Sequence, residues 1–289
     1  MSTTNRFRPA RRHPTYYLFD GNIVLLESNT LYCLHRSTLS LDSACFGTLF
    51  SLPQENTQEG TDDAHPVVIP SIRSQEFDYF LDYHIQTYKN ANSRLPSDNE
   101  DALIAVLNLA HFFQIAVAHA DARRALEHRA EFRPALRYAL GIKNQISEWI
   151  MSGFRELVDL PLHTLKSADV ERMGLAAYHT LVVTKSSIES HRKYIAYLPP
   201  AVQHAPTCPF DIECRLGWQR EWKGGVARRL LHPEMPISGA AILEALDDVE
   251  INDMHVECKK LTLAWLRNRG TLTREEVIVE EAIQGLAGC

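Results

Sequence analysis

The side chains most suited to chemistry fall between His204 and His232. Cys208 and Cys214 lie there, with His204 and His232 as further donors. Thiolates and imidazoles together hold zinc when four of them converge, and paired ligands usually stand two to four residues apart. Five residues separate Cys208 from Cys214, and no second pair accompanies them. The spacing therefore assigns no metal ligand. A disulfide between these two cysteines would require an oxidising compartment.

The chain carries 13 histidines, which invites a search for catalysis. None stands with a carboxylate and a nucleophile in a recognisable frame. Gly-x-Ser-x-Gly, His-Glu-x-x-His and phosphate-cradling loops are absent from the sequence. Gly224-Gly225 precedes a helical stretch but has neither the third glycine nor the strand of a dinucleotide site. His111 lies in an apolar helical stripe and reads as a core residue. Trp218 and Trp222, one helical turn apart, read as core packing rather than a ligand cradle. Glu275-Glu276 and Glu280-Glu281 read as a solvated face suited to a helix N-terminus. Arg228-Arg229 reads as a pair of salt-bridge donors at a rim. The expectation is a protein without catalytic residues or cofactor.

The elements that must position these residues divide the chain in two. Its 289 residues are 45% hydrophobic and 23% charged, an ordinary globular profile. A net charge of -6 argues against a surface built around nucleic-acid phosphates. No segment has the apolar length of a bilayer span. Residues 1–15 hold Arg6, Arg8, Arg11 and Arg12 with no apolar stretch behind them, so they read as a disordered basic tail rather than a secretory signal. Most of the six cysteines sit inside apolar periodic segments, as expected of buried thiols in a reducing compartment. Cytoplasmic or nuclear residence follows as the expectation.

Turn residues Asp20-Gly21-Asn22 and Ser28-Asn29 bracket Ile23–Leu26 and introduce Leu31–Leu34, a β-hairpin. Asp42 or Ser43 can cap a helix carrying Phe46, Leu49 and Phe50 on one face. The polar stretch 54–65 reads as a loop. Val67–Ile69 is a third strand, followed by a helix bearing Phe77, Phe80, Leu81, His84 and Tyr88. Asp98 or Asn99 opens a helix with Leu103, Val106, Leu107, Ala110 and Phe113 inward, and 117–128 is also helical. Helices against a small three-stranded sheet make an α+β domain over 16–130.

Residues 131–289 read as all-helical. Residues 144–158 form one helix. Val170 to Ile195 has stripe spacings of three and four and reads as one long helix. Trp218, Trp222, Val226 and Leu230 form another stripe, and Ile251, Met254, Cys258, Leu261 and Trp265 the next. Thr273 and Glu276 read as a capping box, with Leu272 and Val277 as its staple, for a last helix over 274–286.

The order within 16–130 resembles a BTB/POZ domain. The resemblance is carried by Asp20-Gly21-Asn22-Ile23-Val24-Leu25-Leu26, by Leu31-Tyr32-Cys33-Leu34-His35-Arg36-Ser37-Thr38-Leu39, and by Ser43-Ala44-Cys45-Phe46-Gly47-Thr48-Leu49-Phe50. The Phe50-Ser51-Leu52-Pro53-Gln54 stretch, the segment from Gly225 to Pro233 and the Trp218/Trp222 pair are similar to fungal members with a long helical extension. The resemblance implies a protein-binding adaptor. Its interaction residues would be Asp20, His35, Arg36, Phe46, Phe50, Leu52 and Gln54. Partners would be other proteins or a second copy. The low apolar content before Tyr16 argues against strand swapping. Leu52-Pro53-Gln54 stands where cullin-binding members carry a hydrophobic-x-Glu motif, with Gln54 in the acidic position, so a ubiquitin-ligase substrate adaptor is one alternative. A chromatin- or transcription-associated regulator is the other, and no zinc finger accompanies it.

Overall fold

The computed structural model describes residues 10–40, 42–51, 59–69, 72–89, 95 and 98–287. They form two compact units. The first comprises residues up to 133 together with 140–146, and the second comprises 134–139 and 147 onward.

The first unit is built on a four-stranded mixed sheet in the order β1-β3-β2-β4. β1 spans Arg11–Tyr17, β2 Ile23–Glu27, β3 Thr30–Leu34 and β4 Val67–Val68. β2 and β3 pair antiparallel across a two-residue turn in which Ser28 takes φ 50, the left-handed conformation such tight hairpins need. β4 runs parallel to β2, and the Ile69 N–H donates to the Leu26 carbonyl at 2.9 Å.

β1 corrects the expected tail and adds the fourth strand. Arg11 to Tyr17 lies parallel against β3, with an irregularity between Arg12 and Tyr17. Pro14 falls in that irregularity, where a missing N–H costs no ladder bond. Side chains fasten the strand. Arg12 pairs with Asp63 and lies 4.5 Å over the Tyr17 ring. His13 stacks between Tyr16 and Tyr32, each ring centroid 5.0 Å away.

Helices α1 (Arg36–Ser40), α2 (Ala44–Ser51), α3 (Ser74–Lys89), α4 (Glu100–Phe112) and α5 (Ala116–Glu127) follow. Ser43 caps α2 by accepting the Phe46 N–H at 3.1 Å, and its hydroxyl donates to the Phe113 carbonyl. Asn99 caps α4 through the Ala102 N–H. The core joins sheet and helices through aromatic rings: Phe46 stacks on Phe113 at 4.5 Å, and Tyr32 meets Phe77 edge-on at 4.9 Å.

α6 (Pro134–Asn144) belongs partly to each unit and ends at Gln145 in the left-handed conformation. The single helix expected over 144–158 is therefore two pieces, since α7 (Ser147–Asp159) starts afresh. The long helix expected over 170–195 is also broken. α8 (Ser167–Met173) and α9 (Leu175–Tyr197) meet at Gly174, whose φ of 80 and ψ of 156 no helix contains.

α10 (Asp211–Glu221) continues through a π turn at Trp222–Val226 into α11 (Ala227–Leu230). α12 (Gly239–Asp248), α13 (Val256–Arg269) and α14 (Arg274–Ala287) complete the second unit. Trp218, Trp222, Val226 and Leu230 are buried in a core shared with Ile242, Leu246, Leu263 and Leu266. Both indoles are satisfied. Trp218 Nε1–H donates to the Pro200 carbonyl at 2.9 Å and Trp222 Nε1–H to that of Ile195 at 2.8 Å. The expected capping box does not form: the Thr273 hydroxyl donates to the Gly270 carbonyl instead.

Candidate interaction face and thiol cluster

The turn between β1 and β2 builds one candidate face. A side chain at Gly21 would place its Cβ 2.6 Å from the Cys33 sulfur and 2.9 Å from its carbonyl carbon, so only glycine lets the turn lie this close to β3. Asn22 then bonds in two directions. Its N–H donates to the Leu34 carbonyl, and its Oδ1 accepts the Arg36 N–H at 2.7 Å. These bonds fix the turn to the start of α1. They place Asp20 3.4 Å from His35 Nε2, an ion pair when the imidazole is protonated.

The Arg36 guanidinium lies 5.5 Å from the Phe50 ring centroid, a cation–π geometry. Its Nε is buried without a hydrogen-bond partner. Phe19, one residue before Asp20, is 99% exposed. Asp20 with His35 and Arg36 with Phe50 thus form two contacts around the β3–α1 junction. Phe46 does not join them at the surface, being 2% exposed and part of the aromatic core. Leu52 and Gln54 lie outside the described residues. Phe19 was not singled out from the sequence; the only sign was an aromatic residue directly before a turn.

The second site lies in the C-terminal unit. His204, Cys208, Cys214 and Cys258 bring their ligand-type atoms within 4.8 Å of one another. The chain reaches this arrangement by three local devices. Pro206 sits inside a tight turn closed by the Cys208 N–H to the Ala205 carbonyl at 3.0 Å, which folds Cys208 back beside His204. Cys214 occupies the first turn of α10, and Cys258 the first turn of α13. Gly217 lets α10 close on the segment before α13, since a Cβ there would stand 2.3 Å from the Asn252 carbonyl oxygen.

The sulfurs of Cys208 and Cys214 are 3.6 Å apart, as free thiols. Backbone N–H groups reach two of the sulfurs: His255 donates to Cys214 and Ala205 to Cys258, each at 3.2 Å. A backbone hydrogen bond at Phe210 moves the Cys208 thiol below its usual range. Burial pushes the Cys214 thiol up to about 11. Val202, Ala205 and Met254 wall the cluster with apolar surface.

His232, expected as a possible fourth donor, is elsewhere. It lines a cleft of about 980 Å³ and accepts the N–H groups of Glu234 and Met235 through Nδ1. Several charged groups of that cleft have partners. Arg192 grips Glu275 with two bonds, Lys193 pairs with Glu189, and Lys185 donates to the Val158 carbonyl. Cys258 took the place expected of His232. In the sequence it stands within an apolar stripe, where a ligand thiol and a packed thiol look alike.

No protein-family model, curated protein or solved structure matches the chain. Among the described residues, no helix is long and apolar enough to cross a membrane. The fold defines a mixed α/β unit with a small four-stranded sheet, followed by a helical unit.

Proposed function

We propose that the chain is a non-catalytic adaptor whose first unit is a BTB/POZ-like module that binds a protein partner or a second copy. The helical unit serves as a docking body for another protein. The observation that carries the reading is the face at the β3–α1 junction. It combines a fully exposed phenylalanine, Phe19, with the Asp20–His35 pair and with Arg36 held over Phe50. Exposed aromatics and arginine are the residue types that dominate protein interfaces, and a charged rim around them sets partner choice. The element order supports the same reading: a hairpin, two short helices, a strand returning parallel beside the hairpin, then helices ending in the neighbouring pair α4 and α5.

The test compares affinity purification from the native host, read by quantitative mass spectrometry, for the wild-type chain and for Phe19→Asp and Arg36→Glu. Sedimentation velocity of the same purified proteins reads self-association. Phe19 is solvated, so its substitution leaves the core intact. The expected result is a reproducible partner, or a dimer, lost in both variants and kept by Leu175→Ser in the helical unit. A wild-type chain that is monomeric and recovers no specific partner sinks the proposal, as do variants that behave like wild type.

A further inference from the structure

The four donors at the start of α10 and α13 form a set that no part of the adaptor reading uses. We propose that His204, Cys208, Cys214 and Cys258 bind one zinc ion as a structural Cys3His site that fastens the 201–210 segment to the N-termini of α10 and α13.

The geometry fits the ion. Zinc–thiolate bonds of about 2.3 Å in a tetrahedron place neighbouring sulfurs about 3.8 Å apart. Cys208 and Cys214 already stand at 3.6 Å, and all four donors fall within 4.8 Å. Three thiolates and an imidazole select a borderline-soft cation over calcium or magnesium, which take oxygen ligands. Four protein ligands close the coordination shell, which is the pattern of a structural rather than a catalytic centre.

Two features favour charged sulfur despite the apolar burial of Cys214 and Cys258. Cys214 and Cys258 each occupy the first turn of a helix of eleven residues or more, where the helix dipole favours negative charge. Backbone N–H groups point at their sulfurs from His255 and Ala205. Such bonds hold little value for neutral thiols but stabilise sulfur that carries charge. The bonds also cross between ligand segments. Ala205, next to His204, donates to Cys258, and His255, near Cys258, donates to Cys214. Second-sphere bonding of this kind orients ligands before the ion arrives. His204 is exposed and Cys208 partly so, while Cys214 and Cys258 are buried, which leaves an entry path on the loop side. Binding releases the thiol protons to solvent, so retention weakens in acid.

The experiment uses the full chain, purified under reducing conditions without added chelator. Elemental analysis is expected to find one zinc per chain. Cobalt(II) added after zinc removal is expected to give the visible d–d bands and sulfur charge-transfer band of tetrahedral thiolate coordination. Cys208→Ser and His204→Ala, both in the loop rather than the core, are expected to lose zinc to a competing chelator at least tenfold faster than wild type. His232→Ala is expected to retain it. The cobalt spectrum of the wild-type chain keeps the test decisive if a cysteine variant fails to fold. Absence of stoichiometric metal, an octahedral cobalt spectrum, copper in place of zinc, or a native disulfide between Cys208 and Cys214 would each overturn the assignment.

Discussion

Glu275 offers the sharpest test of the packing in the helical unit. Its side chain is 8% exposed and accepts two bonds from the Arg192 guanidinium, at 3.0 and 2.5 Å. It also accepts the Gly239 N–H at 3.2 Å, one of the unpaired donors at the start of α12. Glu275→Leu keeps the bulk and removes all three acceptor contacts. An ion pair this enclosed is worth little against an apolar pair, but leaving one partner behind is costly, about 3–5 kcal/mol. Arg192 retains 18% side-chain exposure, so water relieves part of that cost. The lower end, about 3 kcal/mol, is the expected loss. Replacing both residues, with Arg192→Met added, leaves only the Gly239 N–H unsatisfied, a cost of about 1–2 kcal/mol. The double variant should therefore be more stable than the single one. All four tryptophans, Trp149, Trp218, Trp222 and Trp265, lie in the C-terminal unit, so their fluorescence follows its unfolding in urea. With a slope of about 2 kcal/mol per molar, the single substitution shifts the midpoint by about 1.5 M. A single variant within about 0.5 kcal/mol of wild type, or a double variant no better than the single, refutes the argument.

Three further outcomes are expected. Gly217→Ala gains about 1 kcal/mol of helix propensity but drives a Cβ to 2.3 Å from the Asn252 oxygen. The clash, about 1–3 kcal/mol, should win and lower the urea midpoint read by tryptophan fluorescence. Gly174→Ala meets no neighbouring atom, yet φ 80 with ψ 156 is a glycine conformation, so thermal unfolding should show a loss of about 1–3 kcal/mol from backbone strain alone. His119 is held below its usual pKa of 6.5 by burial, and by His111 and Arg123 nearby. The unfolded chain then takes up the proton first, so stability is complete above about pH 6.5 and falls as pH drops toward the folded-state pKa. His119→Gln should flatten that decline in urea midpoints measured from pH 7.5 to 5, values chosen to span the roughly 6.5 reference. An unchanged slope would remove His119 as its source.

Local signals were readable where side chains act on their own backbone. The hairpin and the aromatic stripe of α3 follow from nearest-neighbour chemistry, which also narrowed the caps to Asp42 or Ser43 and to Asp98 or Asn99, of which Ser43 and Asn99 act. β1 was not readable because Arg-Arg-His-Pro-Thr has no alternating apolar pattern. Its place is fixed by the edge of β3 and by Asp63 and Asp78, all distant in sequence. Gly174 hid the break between α8 and α9, since the spacing of its neighbours continues across it. In the Thr273 box the N–H that Glu276 would bond is already taken, donating to the Gly270 carbonyl at 3.2 Å. At the candidate sites, Asp20, His35 and Arg36 were marked by the resemblance rather than by spacing, and Phe46, marked with them, turned inward. Cys258 was invisible as a donor because periodicity reports burial and not what a buried sulfur faces.

The π turn at Trp222–Val226 has a consequence for phase. Trp218, Trp222, Val226 and Leu230 are spaced by four throughout, and all four are buried. In an unbroken α-helix each such step overshoots a full turn by about 40°, so Leu230 would point about 120° away from Trp218. A π turn takes up an extra residue and cancels much of the drift. The Lys223-Gly224-Gly225 segment therefore works as a timing element for the helix. Removing one residue there would leave a better α-helix by every local measure. It would also swing everything downstream, Leu230 and the Arg228-Arg229 pair included, by about 100°, exchanging a core face for a solvent face.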